Sequence, residues 1–139
     1  MPLRDENICV TASGQFGMYV ACQTVIDPGD EVLIIEPYFL PYRSAVEMAG
    51  GVPVYVETRF EEGFAIRTER LEAAVTPKTK ALILNNPNNP TGLTIDRDLL
   101  VRILDEARAM VDAAANEGQG RRKKRKEKRQ AEARERAEL

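Results

Sequence analysis

The chain has 139 residues, 43% hydrophobic and 6% aromatic, with a formal charge of −2, a composition that suits one soluble globular domain with a modest core. It contains no histidine, which excludes Ser-His-Asp and Cys-His nucleophilic catalysis and any His-containing metal centre. The charge is unevenly spread: Arg121 to Leu139 carries ten Lys/Arg against four Glu, and the preceding 120 residues carry ten against eighteen, so two segments of different physical character are expected, 1–115 and 116–139.

In chain order, the opening Met-Pro-Leu-Arg-Asp-Glu lacks the apolar stretch of a signal peptide. Ile8–Ala12 reads as a strand, and Phe16–Ile26 as an almost wholly apolar helix closed by the turn signal Asp27-Pro28-Gly29-Asp30. Cys9 in that strand and Cys22 in that helix have no metal-ligand spacing and read as small buried thiols. Glu31–Ile35 is a second strand, and Pro41–Met48 a short helix ending at Gly50-Gly51, where glycine suits a helix C-cap. Val52–Val56 is a third strand. Thr68 caps a helix over Glu69–Val75 that Pro77 terminates, and Lys80–Leu84 is a fourth strand.

Asp96 then opens a helix whose apolar stripe is Leu99, Leu100, Ile103, Leu104, Ala107 and Val111. The second and fourth strands are apolar without alternation, which predicts burial on both faces. Alternating β-α units with short connections define an α/β fold with a mostly parallel sheet flanked by helices. No apolar run approaches the roughly 20 residues that span a bilayer, and a reducing cytoplasmic setting follows as the default. Beyond Ala115 a Gly-containing linker leads into Arg121–Arg129, RRKKRKEKR, a charge run with no apolar face that predicts a solvated helical or disordered tail.

Ligands of open parallel sheets sit at the carboxyl ends of the strands, and three unusual segments each follow a predicted strand. Thr11-Ala12-Ser13-Gly14-Gln15 opens a helix, whose free N–H groups and dipole attract an anion; N-capping alone also explains Ser13, and the dinucleotide fingerprint GxGxxG does not match. Glu36-Pro37-Tyr38-Phe39-Leu40-Pro41-Tyr42 is a stiff aromatic loop that either presents a flat ring to a ligand or plugs the core. Asn85-Asn86-Pro87-Asn88-Asn89-Pro90-Thr91-Gly92 is longer and more polar than a tight strand-to-helix connection needs, and a carboxamide held between prolines is a rigid hydrogen-bonding group.

The segment NNPNNPTG resembles the asparagine-proline loop of the class I/II aminotransferases, the fold-type-I pyridoxal-phosphate enzymes. TASGQ, DPGDEV, EPYFLPY, AGGVPV and TPKTKALIL match in the family's order and spacing, so the resemblance covers roughly residues 6 to 110. It implies a partial cofactor-binding domain in which Ser13, Gly14 and Gln15 bind the phosphate of pyridoxal 5'-phosphate and Phe39 stacks on the pyridine ring. Asn89 would hydrogen-bond the cofactor's phenolic oxygen and help bind a substrate carboxylate. In the complete family the reaction moves an amino group between an amino acid and a 2-oxo acid, and the enzymes are homodimers.

The family's Schiff-base lysine, its cofactor-pairing aspartate and its more distant arginines have no counterpart in this sequence. Lys78 and Lys80 fall at the opposite edge of the predicted sheet. No residue is therefore assigned as catalytic and none as a metal ligand, and the 139 residues are expected to lack turnover. A different reading makes the chain a non-enzymatic interaction module in which Arg121–Arg129 holds nucleic acid or an acidic partner. Without interleaved aromatics that binding would be backbone electrostatics alone, and the residue pattern favours a solvated tail.

Overall fold

In the computed structural model, which describes residues 3–109, the first regular helix is α1 (Gly14–Val25), followed by β1 (Glu31–Ile35), α2 (Pro41–Met48), β2 (Val52–Val56), α3 (Thr68–Ala74) and β3 (Thr79–Ile83). Short 3-10 turns stand at Asp5–Asn7 and Phe60–Glu62. A further helix, α4, covers 97–109 directly after Asp96. The chain divides into two compact units between Arg97 and Asp98; the boundary expected at 115/116, Val111 and Arg121–Arg129 lie outside the described residues.

The three strands form one parallel sheet in the order β2-β1-β3. Val32, Leu33 and Ile34 of the central β1 are buried in succession, at 1%, 3% and 0% exposure, so this strand is covered on both faces as its unbroken apolar run requires. Val32 and Ile34 join Cys22 and Ile26 of α1 and its C-cap, and Ala45 and Val46 of α2, in one core cluster. Leu33 alternates to the other face. Each of the buried Val, Leu and Ile side chains contributes about 1.5–3 kcal/mol. Burial also pushes the Cys22 thiol pKa above its ordinary value.

Two expectations fail for one reason. Ile8–Ala12 forms no strand, and Ile8 and Val10 are 61% and 92% exposed. Cys9 within it is an exposed thiol, not a buried one. A β-run is stable only when a neighbour takes its N–H and C=O groups, and no strand among the described residues lies beside it. Similarly, β3 is only half-buried because it stands at the edge of this three-stranded sheet. Two details of the helices also differ. Thr68 is the first residue of α3, with Arg67 at the cap position and no side-chain cap bond. In α4, Ile103 is buried at 1% but Leu104 is 54% exposed, which narrows the stripe.

The path across the sheet creates the feature that matters for function. From β1 the chain crosses to β2 on one side, then returns over β1 to β3 on the other. Parallel crossovers are right-handed, so these two connections place α2 and α3 on opposite faces, and the strand order reverses beside β1, whose carboxyl end adjoins that of β3. Such a switch point is where open α/β sheets form their ligand crevice.

Candidate functional site

Three segments at that edge carry the expected site residues. Glu36–Phe39 continues from β1, and Leu84–Gly92 continues from β3. The third is the start of α1. The Gln23 carboxamide, near the end of α1, donates to the Met48 carbonyl at the end of α2 (3.0 Å), so the two packed helices run side by side in the same direction. Helix α2 leaves the carboxyl edge at Pro41 and returns to the amino edge at Met48, where Gly50 meets Gly29 before β1 (2.9 Å). The N-terminus of α1, with Ser13, therefore belongs to the carboxyl edge.

Ser13 satisfies its local structural role and keeps capacity to spare. Its Oγ accepts from the Phe16 N–H (3.1 Å), and its carbonyl takes the Gly17 N–H (2.9 Å) and the Thr11 hydroxyl (2.9 Å). The hydroxyl proton of Ser13 stays available, and the N–H groups of Gly14 and Gln15 have no intrahelical acceptor, as in any first helical turn. All three residues are exposed. A Cβ built on Gly14 would meet no protein atom within 4 Å, whereas one on Gly17 would come within 3.2 Å of the Thr11 hydroxyl. The open space thus lies over the first turn of a helix whose dipole favours an anion.

The aromatic loop divides its rings between two tasks. Tyr38 stacks on Tyr55 of β2 at 5.4 Å and 16°, and a hydrogen bond to Tyr38 is the largest cause of a raised Tyr55 pKa. Phe39 meets the ring of Tyr42 edge-on at 5.7 Å and remains 38% exposed. Tyr38 is the core plug, and Phe39 is the ring left facing outward.

The asparagines of the third loop divide in the same way. Asn86 Oδ1 accepts from the Ile95 N–H (2.9 Å). Asn88 Nδ2 donates to the Pro37 carbonyl (3.2 Å) and to Thr91 Oγ1 (2.9 Å), and its main chain exchanges bonds with Gly92 (2.7 Å) and Leu93 (2.8 Å). Asn89 is exposed, and its carboxamide makes no hydrogen bond among the described residues. The peptides Glu36-Pro37, Asn86-Pro87 and Asn89-Pro90 are all cis.

The sequence reading placed Ser13, Gly14, Gln15, Phe39 and Asn89 on one strand edge, and the backbone path puts them there. It missed Asn88, which ties the β1 loop to the β3 loop across the switch point. Nothing in NNPNNPTG distinguishes that asparagine from its neighbours. Both lysines among the described residues, Lys78 and Lys80, stand at the amino edge: the Lys78 carbonyl accepts from the Glu31 N–H (2.8 Å), and Lys80 Nζ is 4.0 Å from Asp30. Among the described residues no cluster of three or more metal-ligating side chains occurs, and no helix is long and apolar enough to cross a membrane.

The class defined by the fold is a parallel α/β domain whose carboxyl edge carries an open helix start, a partly exposed ring and an exposed carboxamide. The chain belongs to the family described as Aminotransferase class I and II, whose pattern it matches over residues 1–117. It is 46% identical over 95 residues to an aspartate/prephenate aminotransferase from Thermus thermophilus, an alignment covering 68% of this chain and 25% of that protein. An alanine aminotransferase structure from Pyrococcus furiosus superposes with a TM-score of 0.68 at 35% identity, covering 72% of this chain and 25% of the other. An aspartate aminotransferase double mutant from Thermus thermophilus superposes with a TM-score of 0.63 at 47% identity, covering 65% and 24%. The chain thus spans about a quarter of the length of these relatives.

Proposed function

We propose that this chain is a pyridoxal-phosphate-binding part of an aminotransferase, a family whose complete proteins transfer an amino group between an amino acid and a 2-oxo acid. The observation that carries this reading is the convergence of unspent groups on the switch-point edge. The Ser13 hydroxyl and the Gly14 and Gln15 N–H groups suit a phosphate, the 38%-exposed Phe39 suits an aromatic ring, and the unpartnered Asn89 carboxamide suits a phenolic oxygen or a carboxylate. An anion, a flat ring and a polar ring substituent are the three features of that cofactor, so the donor set fits it.

When bound, pyridoxal phosphate supplies an electron sink for carbanion chemistry. The first turn of α1 would hold the phosphate through charge-assisted hydrogen bonds, Phe39 would lie against the ring, and Asn89 would hydrogen-bond the phenolic oxygen. Homodimerisation accompanies this reading as a property of the complete family, and a cytoplasmic setting remains the default reading of the sequence.

We infer that the chain binds the cofactor without turnover; both lysines among the described residues sit at the amino edge, which supports this reading. The test mixes the purified chain with pyridoxal phosphate, a panel of amino acids and a 2-oxo acid acceptor, then reduces with borohydride and locates trapped cofactor by mass spectrometry. Saturable non-covalent binding, with no lysine selectively labelled and product formation equal to a protein-free control, is expected. Selective trapping on one lysine with turnover above that control would overturn the no-turnover claim, and absence of any saturable binding would overturn the cofactor assignment.

A further inference from the structure

We propose that Asn88 is the positioning residue of this edge: its carboxamide locks the loop after β3 to the loop after β1, and so fixes Asn89 and Phe39 in one relative geometry. The inference rests on the cofactor-binding reading above and assigns a role to a residue that touches no ligand in it.

The case begins with the hydrogen-bond inventory of the loop. A primary carboxamide offers two N–H donors, and Asn88 directs one to the Pro37 carbonyl and the other to Thr91 Oγ1, at 3.2 and 2.9 Å. Its main-chain N–H donates to the Leu93 carbonyl (2.8 Å), and its carbonyl takes the Gly92 N–H (2.7 Å). Asn88 is half-buried while Asn86, Asn89 and both flanking prolines are exposed. With Thr91, also half-buried, Asn88 forms the centre of the turn over 88–93.

Of those four bonds, three are local to residues 88–93, and one spans 51 residues to Pro37. Pro37 lies two residues before Phe39, and Asn88 immediately precedes Asn89. Both groups proposed to hold the ring are thus carried by the segments that this single bond joins. The anion contacts at Ser13, Gly14 and Gln15 lie on α1, which the Asn88 carboxamide does not touch. Asn88 is accordingly expected to control contacts to the ring and leave contacts to the phosphate alone, a split that a general stabilising role would not produce.

Asn88→Asp isolates the bond. The carboxylate keeps the size of the side chain and still pairs with Thr91, whose hydroxyl then donates, but it has no proton for the Pro37 carbonyl and repels it. Measured on the full 139-residue chain, this variant should bind pyridoxal phosphate about threefold to tenfold more weakly, the loss of one neutral hydrogen bond. Its affinity for inorganic phosphate should stay unchanged. In the ligand-free chain, 15N relaxation should show faster motion at Phe39 and Asn89 and none at Gly14 and Gln15. Asn88→Gln, which restores the donor on a longer arm, should recover part of the pyridoxal phosphate affinity.

If Asn88→Asp matches the unsubstituted chain in pyridoxal phosphate affinity, or weakens both ligands alike, the positioning role is wrong. If the unsubstituted chain binds neither ligand, the cofactor reading fails instead. The relaxation data then decide on Asn88 alone: unchanged motion at Phe39 and Asn89 overturns its role, and increased motion confined to them supports it.

Discussion

The two ends of the β2-β1-β3 sheet treat their polar groups in opposite ways. At the amino edge they are consumed internally: Asp30 Oδ2 takes the Asp27 N–H (2.9 Å) and faces Lys80, the Thr76 hydroxyl donates to Glu31, and Thr79 Oγ1 takes the Thr76 N–H (2.9 Å). At the carboxyl edge the groups that brace the loops, Asn86, Asn88 and Tyr38, stand beside groups left unspent, namely the first N–H groups of α1, Phe39 and Asn89. A folded chain normally satisfies its polar groups with itself or with water, and concentrating rigidly held spare ones at a switch point is what a ligand edge requires. One edge spends its polar groups internally, and the other leaves several unspent, which supports the proposed cofactor contacts there.

The comparison is sharpened first through the core that both edges share. Ile34 is fully buried at the centre of β1, so Ile34→Ala should lower stability by about 2–5 kcal/mol, read as a reduced urea midpoint, and weaken ligand binding only through loss of folded protein. At Gly51, an added Cβ would come within 2.8 Å of Ile26 Cγ2 and 3.0 Å of Val46 Cγ1. Gly51→Ala should therefore cost about 1–3 kcal/mol by overpacking, an amino-edge defect with no direct effect on ligand contacts.

Ser13 separates structure from binding within one residue. Ser13→Ala loses the cap on α1, about 0.5–2 kcal/mol of stability, whereas glycine at a cap costs only a few tenths. Both substitutions remove the hydroxyl donor, worth about 1.5–3 kcal/mol toward a charged group. Ser13→Gly should thus weaken pyridoxal phosphate nearly as much as Ser13→Ala while melting close to the unsubstituted chain, as titration and thermal unfolding in parallel would show.

The segment after β2, also at the carboxyl edge, is closed by an ion pair. Arg70 pairs bidentately with Glu62 (2.9 and 3.0 Å), and that hydrogen bond is the main cause of a lowered Glu62 pKa. A carboxylate whose folded pKa is depressed contributes stability that is fully present above its unfolded pKa, about 4.3, and lost as pH falls through the folded value. Acid titration should loosen residues 57–70, seen as faster amide exchange there, and Glu62→Gln should remove that dependence. The smallest effect belongs to Lys80→Ala. Its 4.0 Å ion pair is half-exposed, so stability should change by less than about 1 kcal/mol with ligand affinity untouched.

How much of this was legible in the sequence depended on whether a residue's role was local. β1, β2 and α2 coincide with their expected bounds because apolar runs between Pro and Gly signals leave little choice, and Gly50 adopts the left-handed conformation (φ 81°) that its place after α2 called for. β3 slips by one residue, since the polar Thr79 pairs in the ladder. Ile8–Ala12 and Cys9 were misread because strand formation depends on a neighbour that local pattern does not reveal. The division of labour between Asn88 and Asn89, or Tyr38 and Phe39, was illegible for a related reason. Tyr38 is set apart from Phe39 by Tyr55, and Asn88 from Asn89 in part by Pro37, partners distant in sequence, and no period or spacing encodes which one turns inward.

The account turns on the claim that ligand-binding capacity resides at the carboxyl edge alone. The direct measurement is a 1H–15N NMR titration of the 139-residue chain with pyridoxal phosphate, following every backbone amide and asparagine side chain. Saturable shifts confined to Gly14, Gln15, Phe39 and Asn89 and their immediate neighbours, with Asp30, Thr76, Thr79 and Lys80 unmoved, are the expected result. Shifts centred on the amino-edge residues, or spread evenly over both edges, would contradict it.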